Sequence, residues 1–153
     1  MTDQTELFMR EALEEAQRAA VAGEVPIGAV VVSKGVIVGR AHNETEAAKD
    51  ATNHAELLAI RRASAALERW RLEDCDLYVT LEPCTMCIGA VLLARIRHLY
   101  FGCYDSKQGA VGSQFDLSRH PDLPGQVRVF PEVLAEECKD VLQNFFQRIR
   151  RQD

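Results

Sequence analysis

The chain has 153 residues, 47% of them hydrophobic and 27% charged, with 9 Gly and 5 Pro. This composition excludes collagen-like, low-complexity and disordered chains, and the length suits one domain over residues 1–153 with a core that needs no disulfide support. The formal charge of -5, from 23 acidic against 18 basic residues, excludes a protein that holds nucleic acid by general attraction and leaves room only for a local basic patch.

From Glu6 onward, Leu7, Phe8, Ala12, Leu13, Ala16, Ala19 and Ala20 recur at helical spacing while Glu11, Glu14, Glu15 and Arg18 fill the opposite face, which predicts an amphipathic helix ending near Gly23. Two β-branched runs, 27–32 and 36–39, flank Ser33-Lys34-Gly35 and predict an antiparallel hairpin. Residues 43–53 are polar and aperiodic, a loop with room for a short helical piece. A second helix is predicted from about His54 to Ala66, with Leu57, Leu58, Ile60 and Ala63 inward, followed by a buried strand over 76–81. Pro83 precedes a stretch, 84–93, that is apolar almost all round and therefore reads as a buried helix. A strand over 98–101, an ordered loop over 104–125, a short strand over 127–130 and a final helix from Glu132 to about Arg150 complete the chain. Strands alternating with helices behind an opening hairpin predict an α/β fold, a three-layer α-β-α sandwich around a mixed sheet of about five strands. No apolar run approaches the roughly 20 residues of a membrane span, and the start MTDQTELFMR is acidic and polar where a signal peptide is basic and then apolar, so no membrane association is expected.

Cysteines stand at 75, 84, 87, 103 and 138, an odd number without small-scaffold spacing, and their expected setting is a reducing cytoplasm. The informative constellation is His54-Ala55-Glu56 followed by Pro83-Cys84-Thr85-Met86-Cys87. Zinc in a hydrolytic site takes three protein ligands and leaves a fourth position for water, and one His with two Cys supplies such a set. Cys84 and Cys87 share one side of a helical turn that Pro83 can start, where free amides stabilise thiolates. His54 and Glu56 are two apart, so they face one site only if His54 stands at the very start of its helix. Taken alone, Cys-x-x-Cys also suits half a structural zinc site, a redox pair or two core thiols. The redox reading falls because the pair follows the third strand and not the first, and a zinc ribbon needs a second pair that the sequence lacks. His42, His98, His120, Cys75, Cys103 and Cys138 have no motif partner and read as structural or surface residues.

Together these motifs resemble the zinc-dependent cytidine deaminase-like superfamily, and the flanking segments resemble its bacterial tRNA-specific adenosine deaminases. Those segments are Val25-Pro-Ile-Gly-Ala-Val30, Ala41-His-Asn43, Trp70-Arg71-Leu72, Leu77-Tyr-Val-Thr-Leu-Glu-Pro-Cys84, Phe101-Gly102 with Asp105 and Lys107, Gly109-Ala-Val-Gly-Ser113, and Asn144-Phe-Phe146. The resemblance implies that His54, Cys84 and Cys87 hold Zn2+, which acidifies a bound water, and that Glu56 carries that water's proton to the base and then to departing ammonia. The implied reaction converts adenosine to inosine at the wobble position of a tRNA anticodon. The resemblance further implies that Asn43 hydrogen-bonds the purine and that Asp105 and Lys107 lie in a loop meeting the RNA. Phe145 and Phe146, with Arg148, would contact the anticodon loop, and the protein would be a homodimer. One departure adjoins the first ligand: the family's Asp-Pro-Thr-Ala-His-Ala-Glu here reads Asp50-Ala-Thr-Asn-His-Ala-Glu56, so Asn53 is a candidate helix cap. Two alternatives stand beside this expectation. One is a deaminase of a free base or nucleoside such as guanine or cytosine; the other is a non-catalytic zinc-stabilised binding protein, against which the presence of Glu56 argues.

Overall fold

The structure, a computed structural model, describes residues 3–152. Helix α1 (Gln4–Val21) starts at Asp3, whose carboxylate accepts from the Thr5 amide at 3.1 Å, and it buries Met9, Ala12, Leu13, Ala16 and Ala19. Strands β1 (Gly28–Ser33) and β2 (Val36–His42) form the hairpin. Its turn is shorter than the separator in the sequence, because Ser33 pairs with Val36 and only Lys34 and Gly35, at φ 51° and 78°, make the bend. Then follow α2 (Thr45–Ala48), the short helical piece in the polar loop, α3 (Ala55–Leu67), β3 (Cys75–Leu81), α4 (Thr85–Leu93) and β4 (His98–Cys103). One 3-10 turn (Leu117–Arg119), β5 (Arg128–Phe130) and α5 (Ala135–Gln152) close the chain. The last helix begins later than its sequence pattern suggests, since Glu132 and Leu134 adopt φ of 63° and 52°, outside helical space.

The five strands form one sheet in the order β2-β1-β3-β4-β5, antiparallel from β2 to β3 and parallel from β3 to β5. Strand β1 is buried throughout because its alternate residues serve opposite cores. Ala29 and Val31 pack with Leu77, Val79, Leu99 and Phe101 beneath α3 and α4, whereas Val30 and Val32 pack with Tyr78 and the α1 face of Met9, Ala12 and Leu13. Cys138 of α5 joins that second core. This is the three-layer arrangement anticipated from the alternation of elements. The layers close tightly at Gly39, where an added Cβ would stand 2.3 Å from the Ala59 carbonyl oxygen, so α3 rests on the bare backbone of β2. Across the parallel half, Tyr78, Tyr100 and Phe130 are register partners and stack with centroids 4.4 and 4.7 Å apart, and Phe8 of α1 meets Tyr78 at 5.4 Å. Trp70 lies exposed beyond α3 with the Arg71 guanidinium over its ring at 4.8 Å. No helix among the described residues is long and apolar enough to cross a membrane.

Candidate active site

Two helix starts supply the reactive side chains. His54 is the N-cap of α3, with extended backbone at φ -79° and ψ 151°, and Cys84 is the N-cap of α4 at φ -78° and ψ 178°. Because a cap residue is not yet helical, His54 and Glu56 escape the divergence that a helix interior would impose on residues two apart. Cys84 and Cys87 occupy cap and third position, the spacing at which a cap side chain meets the first turn. Neither cap side chain bonds its own helix amides, which leaves imidazole and thiol available. Two sequence expectations change here. Pro83 does not start α4 but precedes its cap, and its carbonyl accepts from the Ala110 amide at 2.9 Å. Asn53 does not cap α3, a place His54 takes; the Asn53 carbonyl instead accepts from the Glu44 amide at 3.0 Å.

His54 Nδ1 lies 3.6 Å from Cys84 Sγ and 3.4 Å from Cys87 Sγ. Among the described residues these are the one set of three His, Cys, Asp or Glu side chains with all ligand atoms within 4.8 Å of one another. A tetrahedral zinc-like ion with nitrogen at about 2.0 Å and sulfur at about 2.3 Å separates those atoms by about 3.5 Å, so the donors fit such an ion as they stand. A hydrogen bond from the Cys87 thiol, seconded by the His54 ring, draws the Cys84 thiol down to about 4. The same bond and burial push Cys87 upward, and the bond to Cys84 raises His54. Glu56 is 4% exposed, and burial pushes its carboxyl up to about 7. It faces this group without belonging to the donor set.

Asn43 stands where β2 runs out and is buried, its amide N–H bonded to the Ile27 carbonyl at 3.0 Å while its side-chain Oδ1 has no partner. A buried acceptor without a donor costs about 1–3 kcal/mol, so Asn43 Oδ1 is free to accept a hydrogen bond. Lys107 and Gln108 come together with Cys84, Thr85, Met86 and Phe115 around a cavity of about 390 Å³. Asp105 is used differently: its Oδ1 accepts from the Lys107 and Gln108 amides at 3.1 and 3.2 Å, shaping the loop. On α5 the paired aromatics separate, Phe145 entering the core at 6% exposure and Phe146 remaining at 41%. Phe146 borders a second cavity with Cys103, Tyr104 and Lys139, while Arg148 is exposed farther along the helix and joins neither.

Sequence reasoning passed over two buried carboxylates that hold the loops around the site. Glu24 accepts from the Glu46 and Ala47 amides at 3.0 and 2.7 Å and so secures the loop between Asn43 and His54. Glu82 does the corresponding service for residues 105–113. The one available signal for Glu82 was a charge set directly after a largely buried strand.

The sequence pattern of the MafB19-like deaminase family matches residues 2–150. The tRNA-specific adenosine deaminase of Bacillus subtilis (strain 168) is 47% identical over 148 residues, covering 97% of this chain and 92% of that protein. A solved tRNA:A34 deaminase, studied for A-to-I editing at the wobble position of transfer RNA, superposes with a TM-score of 0.86 at 45% identity, covering 89% of this chain and 99% of that one. The guanine deaminase of Bacillus subtilis stands farther off, with a TM-score of 0.64 and 31% identity over 99% of this chain and 95% of that one. With its fold and nearly its whole length matched by these proteins, the chain belongs to the MafB19-like deaminase family, among the tRNA-specific adenosine deaminases.

Proposed function

We propose that this protein hydrolyses adenosine to inosine at the wobble position of a tRNA anticodon, with zinc as its metal. The observation that carries the reading is Glu56, a buried carboxyl placed beside a His-Cys-Cys donor set and outside it, where a purely structural metal would have no use for it. His54, Cys84 and Cys87 would hold the zinc, and zinc bound there supplies the Lewis acidity that makes water nucleophilic near neutral pH. Glu56 takes the proton of the attacking water, gives it to the ring nitrogen beside the attacked carbon, and finally protonates the departing amine. Water and adenosine thereby become inosine and ammonia. Asn43 offers its unpartnered side-chain Oδ1 to the purine once the base is splayed out of the loop. Lys107 and Arg148 answer the phosphates, with Asp105 holding the Lys107 turn. Phe146, the exposed member of the pair, presents the stacking surface in place of Phe145.

A second copy of the chain belongs to the proposal. Met86, Gly89, Ala90 and Leu93 recur at helical spacing along α4 as a partly uncovered stripe without a polar side chain, Leu93 being 61% exposed.

Purified protein should deaminate an anticodon stem-loop with a wobble adenosine, at a rate that falls steeply with salt, and leave free guanine and cytosine unchanged. Glu56→Gln should keep its zinc and lose about a hundredfold or more in turnover. Efficient turnover of free guanine with none on any such stem-loop would overturn the reading in favour of the free-base alternative.

A further inference from the structure

Glu82 sits between the end of β3 and Pro83 and is 2% exposed. Its carboxylate accepts from the Asp105 amide at 2.9 Å, the Val111 amide at 2.9 Å, the Ser113 amide at 3.0 Å and the Ser113 hydroxyl. None of these four donors is a cation. A buried carboxylate is costly unless its lone pairs are satisfied, and here one loop supplies all of the satisfaction. The loop passes over the group without clearance, since an added Cβ on Gly109 would lie 2.2 Å from the carboxylate carbon. From Glu82 the order propagates in two steps: its oxygen fixes the Asp105 amide, and Asp105 Oδ1 fixes the amides of Lys107 and Gln108. Those two residues form the wall of the cavity that Cys84 also borders.

We propose that Glu82 is a positioning residue for substrate recognition: it sets the path of residues 105–113 so that Lys107 and Gln108 present a preformed wall to the RNA beside the metal ligands. The proposal rests on the reaction proposed above. It implies that Glu82 governs how well a structured substrate is held and leaves the chemistry at Glu56 largely alone. Loosening the loop charges its ordering entropy to binding, which appears in KM and not in kcat.

Glu82→Gln keeps the volume of the side chain but replaces one acceptor by an NH2 group that faces amide donors. The variant should retain its metal and a kcat within about threefold of the original, while KM for the anticodon stem-loop rises about tenfold. Hydrogen exchange at the Val111 and Ser113 amides should accelerate about tenfold or more. Ser113→Ala, which removes one donor and leaves Glu82 in place, should move both readouts the same way by a smaller factor, and it carries the test should Glu82→Gln fail to fold. Unchanged KM and unchanged exchange would overturn the proposal. So would loss of metal with kcat and kcat/KM falling together, which would place the action of Glu82 on Cys84. Exchange needs no RNA, so accelerated exchange in a protein that turns over no stem-loop would refute the reaction and uphold the anchoring of the loop.

Discussion

Asp74 lies at the foot of β3, where its carboxylate accepts from the Arg69 guanidinium at 2.5 Å and from the Ser33 hydroxyl at 3.0 Å. The Arg69 bond leads in holding it down to about 2, from an ordinary 3.8. A folded-state value below the unfolded one means that the stabilisation is whole above 3.8 and drains away as the pH falls toward 2. With 34% of its side chain exposed, solvent screening reduces the contribution to about 1 kcal/mol or less. Asp74→Asn should therefore be less stable than the parent at pH 6 in urea unfolding, and the difference should close by pH 2. Ion pairs of this kind were not read from the sequence, and Glu82 and Glu24 were missed for a related reason. Their partners are backbone amides 22 to 31 positions away, which no residue type announces. His54, Glu56, Cys84 and Cys87 were legible because their own chemistry is rare and their spacing restrictive. The choice between Phe145 and Phe146 depends on the rotational phase of α5 against the sheet, and that phase is a tertiary fact.

Elements were easier to place than their junctions. The β-branched runs and the apolar spacing of α1 and α3 put most strands and helices within a few residues of their observed bounds. The antiparallel pairing of β1 with β3, which joins Ala29 to Val79, carries no local signal. Nor does the role of Pro83, whose carbonyl is engaged by the loop and whose ring lies outside the helix. The seat of α3 on β2 makes the clearest demand at this scale. Gly39→Ala would drive a methyl to 2.3 Å from the Ala59 carbonyl oxygen and 2.8 Å from the Ala63 amide nitrogen, both of them backbone atoms. A destabilisation of about 1–3 kcal/mol is expected, read from the denaturant midpoint at constant slope. Because His54 caps that same helix, the affinity of the His54, Cys84 and Cys87 donor set for added zinc should decline in parallel.

Over the whole molecule, the sandwich gathers two helix starts at one margin of the sheet and lets Glu24 and Glu82 tie a loop down on either side of them. The second copy proposed above would cover the α4 stripe beside this margin. Sedimentation should give about twice the 17.1 kDa chain mass, and Leu93→Asp should return the single-chain value. The aromatic ladder has an optical consequence. Trp70, the only tryptophan, is already 57% exposed, so its emission should shift little when the chain unfolds. Tyr78 and Tyr100, nearly parallel at 4° and 4.4 Å apart, are close enough for their transitions to couple. Near-ultraviolet circular dichroism of that pair thus watches the parallel half of the sheet come apart, from within the layer opposite His54, Cys84 and Cys87.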